Sequence, residues 1–399
     1  MARVNLTRRF GGRIVTVREA RPGDAPAILD LFARIYKGKY PLDFGTDPVV
    51  LRAEIADPAR SLWLVASADG SPAPVAAMQF LIDPDNRMGK AGGGVVVPER
   101  RRSGLGTTML KRGIRFLTRE SRVADVVYGT SRTVSEGPSR MVAEAGFRRL
   151  GLFPNAVHIE QLEHLNLDVY LTERALSRRR RTPYLYGPFA PIYAVARRQL
   201  GLERAHVVTE RDPLSLSRSR VELRYDADPR RAAELFARFR AQRRIANSFF
   251  PFHSPNAVLS ALDGGADVFL WNGGVGKQTM ILGFRSDYAT AHDLLDAVAL
   301  AVQRSGAAYV EMLVDAYDYI LQQEAYTAKY IPSAYFPAMR LAGDGQRDDY
   351  FVVSRTFQIV DFSGAYVARE SLPYLKSYMR SYQDLYIAPL RGNVRVKKR

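Results

Sequence analysis

The chain has 399 residues, with 58 Lys and Arg against 41 Asp and Glu for a formal charge of +17, and no cysteine. The missing cysteine excludes disulfides, thiolate metal sites and a cysteine nucleophile; with no signal-peptide core and no apolar run of membrane-spanning length, the expectation is a soluble, cytoplasmic protein. At 47% hydrophobic and 25% charged residues the composition is that of an ordinary globular chain too long for one core, so two domains are expected, with a positive field that favours anionic partners.

Residues 13 to 36, RIVTVREARPGDAPAILDLFARIY, read as a strand and then a helix. Ile28, Leu31, Phe32, Ile35 and Tyr36 make one apolar face, and Asp24 stands where a first-turn cap belongs. Residues 47 to 66 read as a short helix, a turn and a buried strand, residues 109 to 130 as a helix and a strand, and residues 140 to 154 as a helix leading into the last strands. The series then recurs in order, which marks a duplication. Leu31-Phe32-Ala33-Arg34 returns as Leu235-Phe236-Ala237-Arg238, about 204 residues later. The stretch from Asp47 matches SPNAVLSALDGGADVFLW from Ser254, that from Met109 matches the one from Leu294, and that from Arg140 matches the one from Leu321. The offset falls to about 185, so the second copy is expected to lack some nineteen residues around GGGVVVPERRRSGLG.

Each copy reads β-α-α-β-β-β-α-β-α-β-β, an α/β unit with a mixed sheet flanked by helices. The expected division is 12–168 for the first unit, 169–217 for a linker or insert, 218–362 for the second unit, and 363–399 for a C-terminal helix and basic tail. In that tail Tyr374, Tyr378 and Tyr382 form a stripe read as packing. The tyrosines of the second unit, among them Tyr309, Tyr330 and Tyr335, are likewise read first as core, with a substrate wall as the alternative.

VVVPERRRSGLGTTML, residues 95 to 110, is the segment that carries chemistry. Gly104 and Gly106 clear side chains from a helix start, so successive amides face outward with the positive end of the helix dipole behind them, and Arg100, Arg101 and Arg102 add charge. That is an anion cradle. A P-loop is absent: GGVGKQT at Gly273 has the wrong spacing and reads as a hairpin turn. The glycine spacing and mid-domain position do not suit a dinucleotide fingerprint either.

In these residues the chain resembles the GNAT superfamily of acyl-CoA-dependent N-acyltransferases, whose loop runs strand, V-x-P, then [RQ]-x-x-G-x-[GA]. Val96-Val97-Pro98 and Arg101 to Gly106 fill that pattern, and Gly146-Phe147 stand where the family has such a pair. The resemblance implies two tandem GNAT-like units, the second degenerate, with acyl-CoA, acetyl or longer, as co-substrate. It implies that the backbone of Val95 and Val97 pairs with the pantetheine arm and that Arg101, Arg102, Ser103, Gly104, Leu105, Gly106 and Thr107 hold the pyrophosphate. The acceptor would be an amine of a small molecule or peptide.

The family's catalytic groups are not all matched. The strand KAGGGVVV has no carboxylate, Val142 stands at the usual tyrosine and Ser135 at the usual asparagine. Glu136 is carried forward as base, with Asp83 and His158 as alternatives, and Tyr128 as acid. Rival readings are a long-chain or carrier-protein-dependent acyltransferase served by an acidic carrier, and a non-catalytic acyl-CoA-binding protein. A nucleic-acid-binding protein, suggested by Arg178 to Arg181 beside Tyr184 and Tyr186, is the least favoured, since no nucleic-acid module accompanies those residues.

Overall fold

The structure, a computed structural model, describes residues 4–68, 71, 73–209 and 221–388. Residues 210–217 of the expected linker and the basic tail from residue 389 lie outside the described residues.

The first half runs β1 (Asn5–Phe10), β2 (Arg13–Glu19), α1 (Ala25–Tyr36), α2 (Pro48–Ala56), β3 (Ser61–Ala68), β4 (Pro74–Asp83), β5 (Met88–Val96), α3 (Leu105–Arg115), β6 (Val126–Arg132), α4 (Glu136–Glu144), β7 (Arg148–His158) and β8 (Leu162–Leu171). A connecting region follows with α5 (Glu173–Ser177), β9 (Tyr184–Tyr186), α6 (Ala190–Leu200) and β10 (His206–Val208). The second half has β11 (Leu223–Asp226), α7 (Pro229–Ala241), β12 (Ala257–Ala261), β13 (Ala266–Asn272), β14 (Gln278–Ser286), α8 (His292–Arg304), β15 (Tyr309–Asp315), α9 (Tyr319–Thr327), β16 (Ile331–Leu341) and β17 (Arg347–Thr356), and α10 (Leu372–Tyr382) ends it.

The α/β class stands, but the expected two sheets are one. Fifteen strands run β1-β2-β3-β4-β5-β6-β8-β7-β16-β17-β15-β14-β13-β12-β11, so the second half repeats the strand order of the first in mirror sequence about the β7–β16 junction. There Gly151 pairs with Ala334. These two positions are equivalent under the repeat, 183 residues apart, so a pseudo-twofold axis passes between them. The same offset relates Asn155 to Ala338, both at φ near +55° in a bulge of their strand, and Gly146 to Lys329, both left-handed after a helix. A Cβ on Gly151 would stand 2.1 Å from Ala334 Cβ and 2.9 Å from Ser333 O, which is why glycine occupies the junction.

Local chemistry accounts for the flanking helices. Ala25, Ile28, Leu31 and Phe32 of α1 are fully buried against one sheet face, beside Trp63, Val65 and Ala77. Asp24 does not cap α1 through its side chain; it accepts from the Arg21 amide at 2.7 Å and pairs with Arg18. Asp47 caps α2 by accepting from the amides of Val49 and Val50, and Asp228 caps α7 by accepting from those of Arg230 and Arg231. The other sheet face is covered by α3, where Gly113 lets the helix lie on the Phe80 ring.

The second half is shorter than the first at a different place from the expectation. Ser254 to Leu259 holds no helix: α2 has no counterpart, Ala257–Ala261 is a strand, and Asp263-Gly264 turns the β12–β13 hairpin. The strand equivalent to β5 survives as β14, and only the glycine loop after it is cut short. GGVGKQT is the expected hairpin turn, closed by Gly273 N–H donating to Gln278 O at 2.9 Å.

The connecting region and the C-terminal segment bind the halves together. Arg149 and Asp168 form a buried pair at 2.6 Å, with the Arg149 guanidinium also donating to Ser371 Oγ. Asn155 Nδ2 donates to Ile359 O, and His164 Nε2–H to Asp361 O. Arg179 pairs with buried Asp349 and with Glu203, and Arg180 with Asp348 and Asp344. The arginines that suggested nucleic acid are therefore largely committed within the fold, and Tyr186 is core. Tyr374 and Tyr378 are fully buried, as are Tyr309, Tyr330 and Tyr335.

Gly151→Val should drive the half-sheets apart at the strand pairing that joins them. A loss of about 3 kcal/mol, the upper range for overpacking, is expected from the urea-unfolding midpoint.

Candidate functional site

β5 and β6 are parallel and pair only from Met88–Val126 to Ala91–Gly129. Beyond that rung β5 continues on β4 as far as Ala76–Val96, while β6 continues on β8 as far as Arg132–Leu165. The two strands part, and a notch opens between them. A bulge on β5 accompanies the parting: Ala77 pairs with Val95 but Gln79 with Gly92, leaving an extra residue around Gly93, whose φ is +55°. A Cβ there would press on the Phe44 ring at 3.2 Å and on Gln79 Cβ at 3.3 Å.

The bulge sets which backbone groups face the notch. Val97 N–H donates to Val75 O at 3.0 Å, and strand alternation turns Val95 the same way, toward β4. The groups on the open edge belong instead to Gly94, which is exposed, and to Val96, whose carbonyl accepts from Arg101 Nε at 3.2 Å. The side chains of Val95 and Val97 pack under α1 and α2. The backbone groups on the open edge thus lie one residue along the strand from Val95 and Val97.

The strand leads directly into the cradle. After a turn at Pro98–Arg100, Arg102 takes φ +61° and Gly104 φ +82°, and α3 begins at Leu105. Among the described residues no backbone acceptor takes up the amides of Arg102, Ser103 and Gly104, and the amides of Leu105, Gly106 and Thr107 are first-turn groups without a helical partner. Ser103 Oγ ties the loop by donating to Arg100 O at 2.7 Å. Arg101 and Arg102 are exposed at its rim.

On the α1/α2 face, the glycine bulge is backed by a carboxylate that the sequence reading missed. Glu54 of α2 accepts from Gln79 Nε2 at 2.5 Å and from Trp63 Nε1 at 3.3 Å, and Gln79 is the residue paired with Gly92. Burial pushes the Glu54 carboxyl above the ordinary range, against the pull of those two donors. Tyr36, Tyr40 and Phe44 form an aromatic wall beside it, and burial raises both phenols. The far lip is Arg132, which holds Glu163 through bonds of 2.6 and 2.5 Å and lies 5.9 Å from the Tyr36 ring centre.

The catalytic candidates read from the sequence fall in different places. Tyr128 pairs with Lys90, one rung before the strands part; its ring packs on Phe336 and Phe252, and burial raises its phenol. Glu136 is exposed at the first turn of α4. Asp83 accepts from Asn86 in the β4–β5 turn, at the end of the strand away from the notch, and His158 lies at the end of β7. None of these meets Glu54 in a hydrogen bond.

The second half forms the same notch and fills it. β14 and β15 pair from Gln278–Tyr309 to Ile281–Met312 and then part, again beside a bulge. Into the gap comes the chain itself. Ala246 N–H donates to Phe284 O at 2.8 Å, Phe284 N–H donates to Ala246 O at 3.2 Å, and Asn247 Nδ2 donates to Leu313 O on the opposite lip. Gly283, the repeat partner of Gly93, makes room: a Cβ there would stand 2.8 Å from Ile245 Cγ2.

Among the described residues no cluster of side chains suits a metal ion, and no helix is long and apolar enough to cross a membrane. No protein-family model and no curated protein matches the chain. Solved structures similar to part of it include an acetyltransferase of GNAT family from Streptococcus pneumoniae, at 18% identity over 40% of this chain and 99% of that one, with a TM-score of 0.35. Others are a ribosomal-protein-S5-alanine acetyltransferase from Vibrio fischeri (14% identity, 42% and 97% covered, TM-score 0.36) and a spermidine N-acetyltransferase from Vibrio cholerae in complex with CoA and spermine (17%, 40% and 95%, 0.34).

Gly283→Val should expel the segment from the second notch. The Ala246 amide, expected to exchange slowly in the wild type because it is bonded to Phe284 O, should exchange freely in the variant, with a lower melting temperature, as hydrogen exchange and calorimetry would register.

Proposed function

We propose that the chain is an acyl-CoA-dependent N-acyltransferase with one donor site, in the first half. The observation that carries this reading is the continuity of an unpaired strand edge, Gly94 and Val96, with an unpaired amide cradle from Arg102 to Thr107. An extended arm ending in a pyrophosphate needs both in that order: strand-like hydrogen bonds along its length and a dipole-backed cradle at its charged end. The resemblance of residues 95 to 110 to the GNAT loop supports the same ligand. The filled notch and shortened loop of the second half argue for a single donor per chain.

In this reading the thioester lies where β5 and β6 part, and the amine approaches from the α1/α2 face. Glu54 is the base: desolvated, with a raised affinity for a proton, and backed against the glycine bulge, it takes a proton from the ammonium so that the neutral amine attacks the thioester carbon. It supplies the carboxylate missing from the β5 strand and is better sheltered than Glu136. The C–N bond forms as the C–S bond breaks: the tetrahedral adduct expels CoA as a thiolate, and the second proton lost by the attacking nitrogen goes to that sulfur directly or through water, so this reading does not require Tyr128 for that step. The acceptor is a small-molecule or peptide amine, and an acidic peptide or carrier would be favoured by the +17 charge.

Titration calorimetry with acetyl-CoA and a long-chain acyl-CoA should give one site per chain, abolished by Gly104→Glu, which places a carboxylate in the cradle. Absence of binding to the intact protein would overturn the donor assignment.

Glu54→Gln should lower turnover by about 10²–10⁴-fold, the usual share of a general base, while stabilising the fold. A carboxyl whose folded pKa is raised opposes folding once ionised: its stability is complete below about pH 4 and is lost as pH rises through the folded value. The variant should therefore melt higher than wild type at pH 7.5 and equally at pH 4.

A further inference from the structure

The least explained charged group in the fold is Lys90. It lies on β5 one rung before the notch, on the same sheet face as Gln79 and Glu54, with Nζ 5.9 Å from the centre of the Tyr128 ring. Among the described residues it has no ion pair and no hydrogen bond, and the Tyr128 hydroxyl has no partner either. Neither atom is sealed from solvent. Lys90 retains some exposed surface, yet burial pushes its amine down to about 8, with Glu311 pulling it upward. With Tyr128 8% exposed and Lys90 only partly exposed, the two side chains line a narrow crevice at the edge of the interior.

The second half walls that crevice. Phe252 and Phe336 pack on Tyr128. His253, which follows the segment that fills the second notch, is held neutral by burial and by the Lys90 charge, and its Nδ1–H donates to Pro251 O at 2.9 Å. Glu311 is the nearest candidate counter-ion, but it accepts from Tyr309 OH at 2.6 Å and stands outside ion-pair distance of Lys90.

The equivalent rung of the second half carries no cation. In the repeat, Lys90 pairing with Tyr128 corresponds to Met280 pairing with Glu311, so the equivalent rung of the second half carries methionine. Keeping an ammonium without an ion pair in such a place costs stability, and it lies beside the proposed reaction centre.

We infer that Lys90 and Tyr128 bind a carboxylate of one of the reacting molecules. One carboxylate oxygen would meet the ammonium and the other the phenol, with the aromatic side chains around the carbon skeleton. The crevice is distinct from the amide cradle, and with one cation and one hydroxyl it suits a singly charged anion rather than a phosphate. The carboxylate has two chemical sources: the distal end of a dicarboxylic acyl group on the donor, or the carboxyl group of an amino-acid acceptor. The inference rests on the donor reading above.

The test uses the full chain and Lys90→Met, which copies the methionine of the second half, with circular dichroism as the folding control; Tyr128→Phe is the second variant. Titration compares succinyl-CoA with butyryl-CoA, and thiol release compares leucine with isopentylamine. A preference of tenfold or more for the carboxylate-bearing member of either comparison, abolished by Lys90→Met and reduced severalfold by Tyr128→Phe, supports the inference. The titration arm identifies the donor as its source and the thiol-release arm the acceptor. Normal binding of acetyl-CoA with no discrimination in either arm, or discrimination that survives Lys90→Met, overturns it. If no thioester binds, the donor reading fails as well.

Discussion

Two parallel strands that part inside a sheet leave backbone donors and acceptors which something must satisfy, because an unpaired buried amide or carbonyl costs about 1–3 kcal/mol. This protein meets the problem twice, at equivalent positions, and resolves it in two ways. In the second half the chain returns Ala246 and Asn247 across both lips of the gap. In the first half Gly94 stays exposed and, among the described residues, Val96 is met only by the Arg101 side chain, an exposed group at the rim. The loop that distinguishes the halves is the one that would hold the charged end of a ligand lying along that open edge.

The pseudo-twofold junction then makes the halves depend on one another. Gly151 against Ala334 brings the inner strands together, and the residues flanking the axis, Tyr128 from one half and Phe336 from the other, meet as a packed aromatic pair. The segment that fills the second notch does not end there: it runs on to Phe252 and His253, against Tyr128 and within the field of Lys90. The second half is therefore a wall of the first site as well as a closed copy of it.

The sequence reveals these features unevenly, for physical reasons. The repeat, α1 and the cradle were legible because amphipathic period, proline and glycine spacing are local signals; Leu235 to Arg238 needed only to be compared with Leu31 to Arg34. The stretch from Ser254 misled because a short apolar run suits helix or strand equally, and the hairpin signal in Asp263-Gly264 carried the correct answer. The choice between Val95 and Gly94 on the notch edge turns on a bulge at Gly93, a one-residue phase shift that alternation alone does not show. Glu54 was invisible because nothing near it in the chain marks it: its role depends on Trp63 and Gln79, brought to it by the sheet.

These cases share a consequence for how stability and function are divided. An open strand edge, a desolvated Glu54 and an unpaired Lys90 each work against folding, and all three lie in the first half within a few rungs of the parting strands. At the matching positions the second half has a filled notch and Met280, and α2, which carries Glu54, has no counterpart there. Of the two halves, the second satisfies its parted strands from within the chain, while among the described residues the first meets that edge only through the Arg101 side chain. The Arg149–Asp168–Ser371 network ties the junction strand β7 and its neighbour β8 to the start of α10, so the C-terminal segment braces the first half from beyond the second.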